Sequence, residues 1–146
     1  MTRLNLGKNA AGADVTVDDT NFGEVAMSRM KQYFDKPYTD KWGKNANITS
    51  SKIRNILEMV NKIYNNVFFI SGNELTNNQL SDIAYLKVKM AYESGRDKSV
   101  EDFIKRSCIM NPITNIVNSK KKDDFLLYCR YVESLVAYFR YYGGRD

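Results

Sequence analysis

Residues 123–144 read DDFLLYCRYVESLVAYFRYYGG, and this stretch decides the fold. Phe125, Cys129, Val132, Val136 and Phe139 advance by four, three, four and three, which lines them along one stripe of an α-helix. Leu135 and Tyr128 widen the stripe. Asp123 and Asp124 fall where a helix N-terminus favours negative charge, and Gly143 falls where a helix needs a left-handed exit residue. Tyr131, Tyr138 and Tyr142 form one flank of this helix. Arg130, Ser134, Ala137 and Tyr141 form another. The rest of the chain reads as a bundle assembled around it.

Working outward, residues 1–17 are rich in Gly, Ala, Asn and Thr and read as a flexible tail. The helical domain spans 18–146. Its first helix covers 18–34, capped by Asp19 or Thr20, with Phe22, Val25, Ala26, Met30 and Phe34 as its apolar face. Residues 35–48 form a basic, polar loop broken at Pro37 and Gly43. It carries the sole tryptophan, Trp42, read as a loop anchor on the core with base stacking as the alternative. A second helix over 49–66 starts at Thr49 or Ser50 and buries Ile53, Ile56, Leu57, Val60 and Tyr64. Thr76 and Gln79 have capping-box spacing. The helix they open runs to Ser94, stops at Gly95, and is apolar enough to be mostly surrounded by other helices. A fourth opens near Ser99 and is interrupted at Asn111-Pro112. A further turn or short helix follows, marked by Ile113, Ile116 and Val117. No strand alternation with hairpin turns is evident. The expectation is an all-α, single-domain bundle of about five helices behind a flexible N-terminal tail.

The chain contains no histidine, which removes the commonest general acid–base and the commonest metal ligand. Cys108 and Cys129 lack CxxC spacing and read as small buried hydrophobes. The paired carboxylates Asp18-Asp19 and Asp123-Asp124 read as helix-start residues rather than metal ligands. No nucleophile elbow, phosphate loop or zinc-protease motif is present. The N-terminus has no apolar h-region, and no apolar run reaches the roughly 20 residues of a membrane span, so a cytoplasmic protein is expected. The net charge of +5 suits a polyanionic partner without demanding one. Lys52, Arg54 and Lys62 on the second helix, Lys87, Lys89 and Arg96 on the third, and Arg130 and Arg140 on the last are dispersed cations. Such a set can track a phosphate backbone without reading sequence.

Three segments resemble a known family: SKIRNIL at 51–57 continued by MVN at 59–61, LKVKMAYESGR at 86–96, and YVESLVAYF at 131–139 ending in YGG at 142–144. Their order and spacing are similar to the small subunit of type III-A CRISPR interference complexes, the Csm effector. The resemblance covers about 49–144, and residues 1–48 carry little of it. It implies a compact helical protein without nuclease activity. It also implies several copies stacked in a filament beside the backbone subunits, contact with the large signature subunit, and a groove holding guide RNA paired with target RNA. The family's basic positions correspond to Lys52, Arg54, Lys87, Lys89, Arg96, Arg130 and Arg140. Lys87 and Lys89 point about 200° apart on a helix, so one is expected to face RNA while the other pairs or snorkels. No cofactor or metal is implied. Two other readings are a structural helical adaptor that binds only proteins, and a metal-dependent nuclease built on Asp18, Asp19 or other carboxylates.

Overall fold

Burial of the last helix organises the molecule. The structure, a computed structural model, describes residues 2–8 and 12–144. Among these residues the order is β1 (Arg3–Lys8), β2 (Asp14–Asp18), α1 (Phe22–Asp35), α2 (Ser50–Val67), α3 (Asn77–Arg96), α4 (Lys98–Ser107), α5 (Asn111–Ser119) and α6 (Lys122–Tyr141). The predominantly helical class expected from sequence is present, with the short segment after Asn111-Pro112 forming a helix of its own. Pro112 sits in its first turn, where a missing N–H costs nothing.

On α6, Phe125, Tyr128, Cys129, Tyr131, Val132, Leu135 and Phe139 are buried against α1, α2 and β1. Two of its tyrosines satisfy their hydroxyls inside the core. Tyr128 donates to the Ile109 carbonyl at 2.6 Å and Tyr131 to the Ser107 carbonyl at 2.6 Å, closing the otherwise orphaned end of α4. Burial pushes both phenols, and the Cys129 thiol, above their ordinary ranges. The exit is as expected: Gly143 has φ +97°, and the Gly144 N–H returns to the Phe139 carbonyl at 2.8 Å.

The helix starts follow local chemistry. Thr49 caps α2 through Lys52 N at 3.4 Å. Thr76 and Gln79 form a reciprocal capping box on α3. Asp97 opens α4, accepting from the Ser99 N–H at 2.9 Å and the Ser99 hydroxyl at 2.7 Å. Gly95 therefore does not stop α3. The helix runs through it to Arg96 and breaks at Asp97, whose backbone is extended. At the start of α1 neither Asp19 nor Thr20 is the cap. The Asp18 carboxylate instead accepts from the Thr20 hydroxyl and the Thr20 and Asn21 N–H groups, which holds its pKa below the usual range.

Two larger expectations also need correction. Within 1–17, residues 3–8 and 14–17 are not a loose tail; they belong to an antiparallel hairpin with Leu4 opposite Val17. Leu4, Leu6 and Val17 join the main core while Arg3 and Asn5 face out, the alternation a half-buried strand requires. A bulge between Asn5 and Gly7 lets the strand settle on α5, where Asn111 Nδ2 donates to the Leu6 carbonyl at 3.0 Å. The parts of the expected tail at 1 and 9–11 lie outside the described residues. The second correction concerns α3. It buries only one side, with Leu80, Ile83, Leu86 and Met90, and leaves Tyr85, Val88 and Tyr92 more than half exposed.

Candidate nucleic-acid interface

The eight cations singled out from sequence separate into groups with different duties. α2 and α6 run antiparallel: Arg140 Nη1 donates to the Ser50 hydroxyl at 3.0 Å at one end of the pair. Towards the other end, Asn61, Tyr64 and Phe68 meet Leu126, Cys129, Arg130 and Glu133 around a shallow groove. Arg54 lies between these two sites on the exposed side of α2, and Lys62 is exposed one further turn from Glu58. Arg130 is exposed on α6 in the same line as Ala137 and Tyr141. None of Arg54, Lys62 and Arg130 forms an ion pair among the described residues. Both helices are pinned by buried faces, so these three guanidinium and ammonium groups stand on a rigid support with their charge unneutralised.

Lys52 and Arg96 do otherwise. They line a cleft between α2, α3 and α4 together with Asn55, Met59, Glu93 and Asp97. Lys52 is ion-paired to Asp97, and Arg96 reaches Glu93 at 3.4 Å. The hydrogen bond from Lys52, opposed by partial burial and assisted by Ser99, holds the Asp97 carboxyl down to about 2. A carboxyl lowered on folding from an ordinary value of 3.8 stabilises the fold above that value, and the contribution disappears as pH falls through about 2. Asp97→Asn keeps a capping oxygen but loses the charge. Urea melts should show it about 1 kcal/mol less stable than the native chain at pH 7, an amount set by the pair's partial solvent exposure, and equal to it near pH 2.

On α3, Lys87 and Lys89 are both exposed. Lys87 Nζ donates to the Thr114 hydroxyl at 3.1 Å, while Lys89 lies over the Tyr85 ring at 5.2 Å, as Arg96 lies over Tyr92 at 5.4 Å. Lys89 and Arg96 are thus interleaved with exposed aromatic rings on a second surface distinct from the α2–α6 face, while Lys87, about 200° round the helix from Lys89, faces Thr114 of α5. Sequence periodicity treats both sets alike, because the partners Asp97 and Thr114 are remote in the chain.

Of the paired carboxylates, one member of each pair has a structural partner. Asp18 serves its own turn, and Asp124 accepts from Ser119 Oγ at 2.6 Å. Among the described residues no group of three or more His, Cys, Asp or Glu side chains is arranged to hold a metal ion. Cys129 is buried and Cys108 half-buried, both free thiols. Trp42 departs from its expected role as a loop anchor: it is 72% exposed and fills no part of the core.

A family model described as Csm2 Type III-A matches residues 28–145. The chain belongs to the Csm2 family. Among the described residues the match takes in all six helices except the first turns of α1, and so includes all eight of these cations. The CRISPR system Cms protein Csm2 of Enterococcus italicus is 32% identical over 143 residues, covering 98% of this chain and 100% of that protein. The Csm2 protein of Streptococcus thermophilus is 35% identical over 99 residues, 68% of this chain and 76% of that one. The Mycobacterium tuberculosis Csm2 is 26% identical over 99 residues, 68% of this chain and 78% of its own length. As a Csm2-family member the chain is a subunit of the type III-A CRISPR complex. Among the described residues no helix is long and apolar enough to cross a membrane.

Proposed function

We propose that this subunit is a non-catalytic RNA-binding component of the Csm complex. Several copies stack along the guide RNA–target RNA duplex and hold its sugar–phosphate backbone without reading sequence. The observation that carries this is the α2–α6 face, where Arg54, Lys62 and Arg130 stand exposed with no acidic partner among the described residues. Base pairing supplies the sequence recognition in an RNA-guided complex. The protein then needs only positive charge at the spacing of the backbone. A modest net charge suffices when several copies share one duplex, because linked weak interactions multiply. Lys87 faces α5, whereas Lys89 and Arg96 belong to the outer α3 surface. There Val88, exposed between the rings of Tyr85 and Tyr92, makes an apolar patch that favours neighbouring protein subunits, the backbone subunits or the large signature subunit, over phosphates. The subunit works in the cytoplasm and breaks no bond itself.

The test is target-RNA affinity of the assembled complex across a salt series, with and without this subunit. The native complex should lose affinity with rising salt more steeply than the complex lacking the subunit. Identical slopes would overturn the reading. Labelled RNA should remain intact for hours with the purified chain in Mg²⁺ or Mn²⁺, and cleavage under those conditions would contradict the non-catalytic assignment.

A further inference from the structure

Between α1 and α2 the chain makes a tight hairpin-like turn that is heavily braced yet leaves its largest side chain in solvent. Thr39 and Asn45 form an antiparallel bridge, and Ala46 N–H donates to the Tyr38 carbonyl at 2.7 Å. At the tip, Gly43 N–H donates to the Asp40 carbonyl at 3.0 Å and Asp40 N–H to the Lys44 carbonyl at 2.9 Å. Gly43 has φ +77°, a conformation that glycine adopts without penalty. The Asp40 carboxylate accepts from the Trp42 N–H at 2.9 Å and the Lys44 N–H at 3.0 Å. The base of the turn is tied down as well. Asn47 Oδ1 accepts from the Tyr38 N–H at 2.7 Å, and the buried Ile48 N–H donates to the buried Tyr33 hydroxyl at 3.0 Å.

This framework holds out Trp42 at 72% exposure. The Lys41 ammonium lies over its ring, 4.5 Å from the centroid, and Lys36 and Lys44 are exposed in the same loop. Asp40, the acid nearest the ring in sequence, is occupied by the turn's own N–H groups. An indole held out by a rigid, many-bonded turn and flanked by lysines has the build of a stacking platform. Its surroundings decide the kind of partner. An apolar protein pocket would strip water from three ammonium groups. A nucleic acid offers a flat π-face for the ring and phosphates for the lysines.

We propose that Trp42 stacks on an unpaired base of the RNA held by the complex. This rests on the RNA-bound reading above. The loop leads directly into the α2 N-terminus, the end of the α2–α6 pair where Arg140 meets Ser50, one helical turn before Arg54. The turn supplies a stacking platform there, and α2 and α6 supply charge.

The test uses assembled complexes carrying Trp42→Ala, Trp42→Phe or Arg54→Glu, titrated with labelled target RNA over a salt series. Trp42→Ala should weaken binding by about fivefold or more with the salt slope unchanged, since stacking releases no counterion, and Trp42→Phe should retain most of the affinity. Arg54→Glu should lower the slope. In the purified chain, emission of the sole tryptophan should be quenched by single-stranded oligoadenylate at low salt. Native affinity in Trp42→Ala beside weakened binding in Arg54→Glu overturns this inference and leaves the RNA-binding reading standing. Native affinity in both overturns both. A Trp42→Ala complex that lacks the subunit overturns it in favour of a protein-docking role.

Discussion

Phe139→Ala should be the most destabilising single truncation in α6, lowering unfolding free energy by about 3–5 kcal/mol and the thermal midpoint by roughly 10 °C or more. The ring is fully buried. It lies 5.4 Å from Phe34 and 6.4 Å edge-on from Phe103, so it ties α6 to both α1 and α4. The chain then folds back over it. A Cβ on Gly144 would collide with the Phe139 ring, so glycine is the residue that fits there. Removing the ring empties a space that three elements enclose and that none can fill without leaving its own packing partners. Tyr141→Ala, two residues on but 77% exposed, should change stability by no more than about 0.5 kcal/mol. Urea and thermal melts of both variants check the contrast. A Phe139→Ala chain as stable as Tyr141→Ala would show that α6 is not the organising helix.

The largest effect on binding is expected from Arg54→Glu combined with Arg130→Glu. Each residue is exposed and outside any ion pair among the described residues, so reversal should leave the melting curve close to native. Glutamate is about as good a helix former as arginine, which keeps α2 and α6 intact. If each arginine holds a phosphate as proposed, each reversal costs a charge-assisted hydrogen bond, about 1.5–3 kcal/mol, or roughly tenfold to a hundredfold in affinity per site. The salt slope of target binding should fall by about one for each phosphate that no longer has its cation, equally for all target sequences. Lys52→Glu provides the contrast: it leaves Asp97 facing a like charge at the α3–α4 junction, so its first effect should be on folding.

What the sequence disclosed was local. The α6 stripe, the Thr49 cap and the Thr76–Gln79 box are set by residues within one or two turns of each other, and all stand in the structure. The β1–β2 hairpin was hidden because each strand shows only two inward residues, Leu4 and Leu6 on one and Val15 and Val17 on the other. The intervening Gly- and Ala-rich stretch also resembles a linker. The burial of β1 depends on α5, more than a hundred residues away in the chain. The α3 faces depart from the sequence pattern for a related reason. Apolar residues around a helix show that it has something to bury, but not how many neighbours it will have. Of the cations, Arg54 and Lys52 are two residues apart and so point to different sides of α2, but nothing local tells which side meets an acid. That is set by Asp97, which lies 45 residues from Lys52 and is brought there by the packing of α2 on α3.

The most direct measurement is an electron-microscopy map of the native complex with guide and target RNA bound, at a resolution that places side chains. The phosphates of the paired strands should run along the exposed side of α2 and α6, within reach of Arg54 and Arg130, in every copy of the subunit. A map in which that face abuts another protein or open solvent, with the duplex held elsewhere, would contradict the role proposed for it.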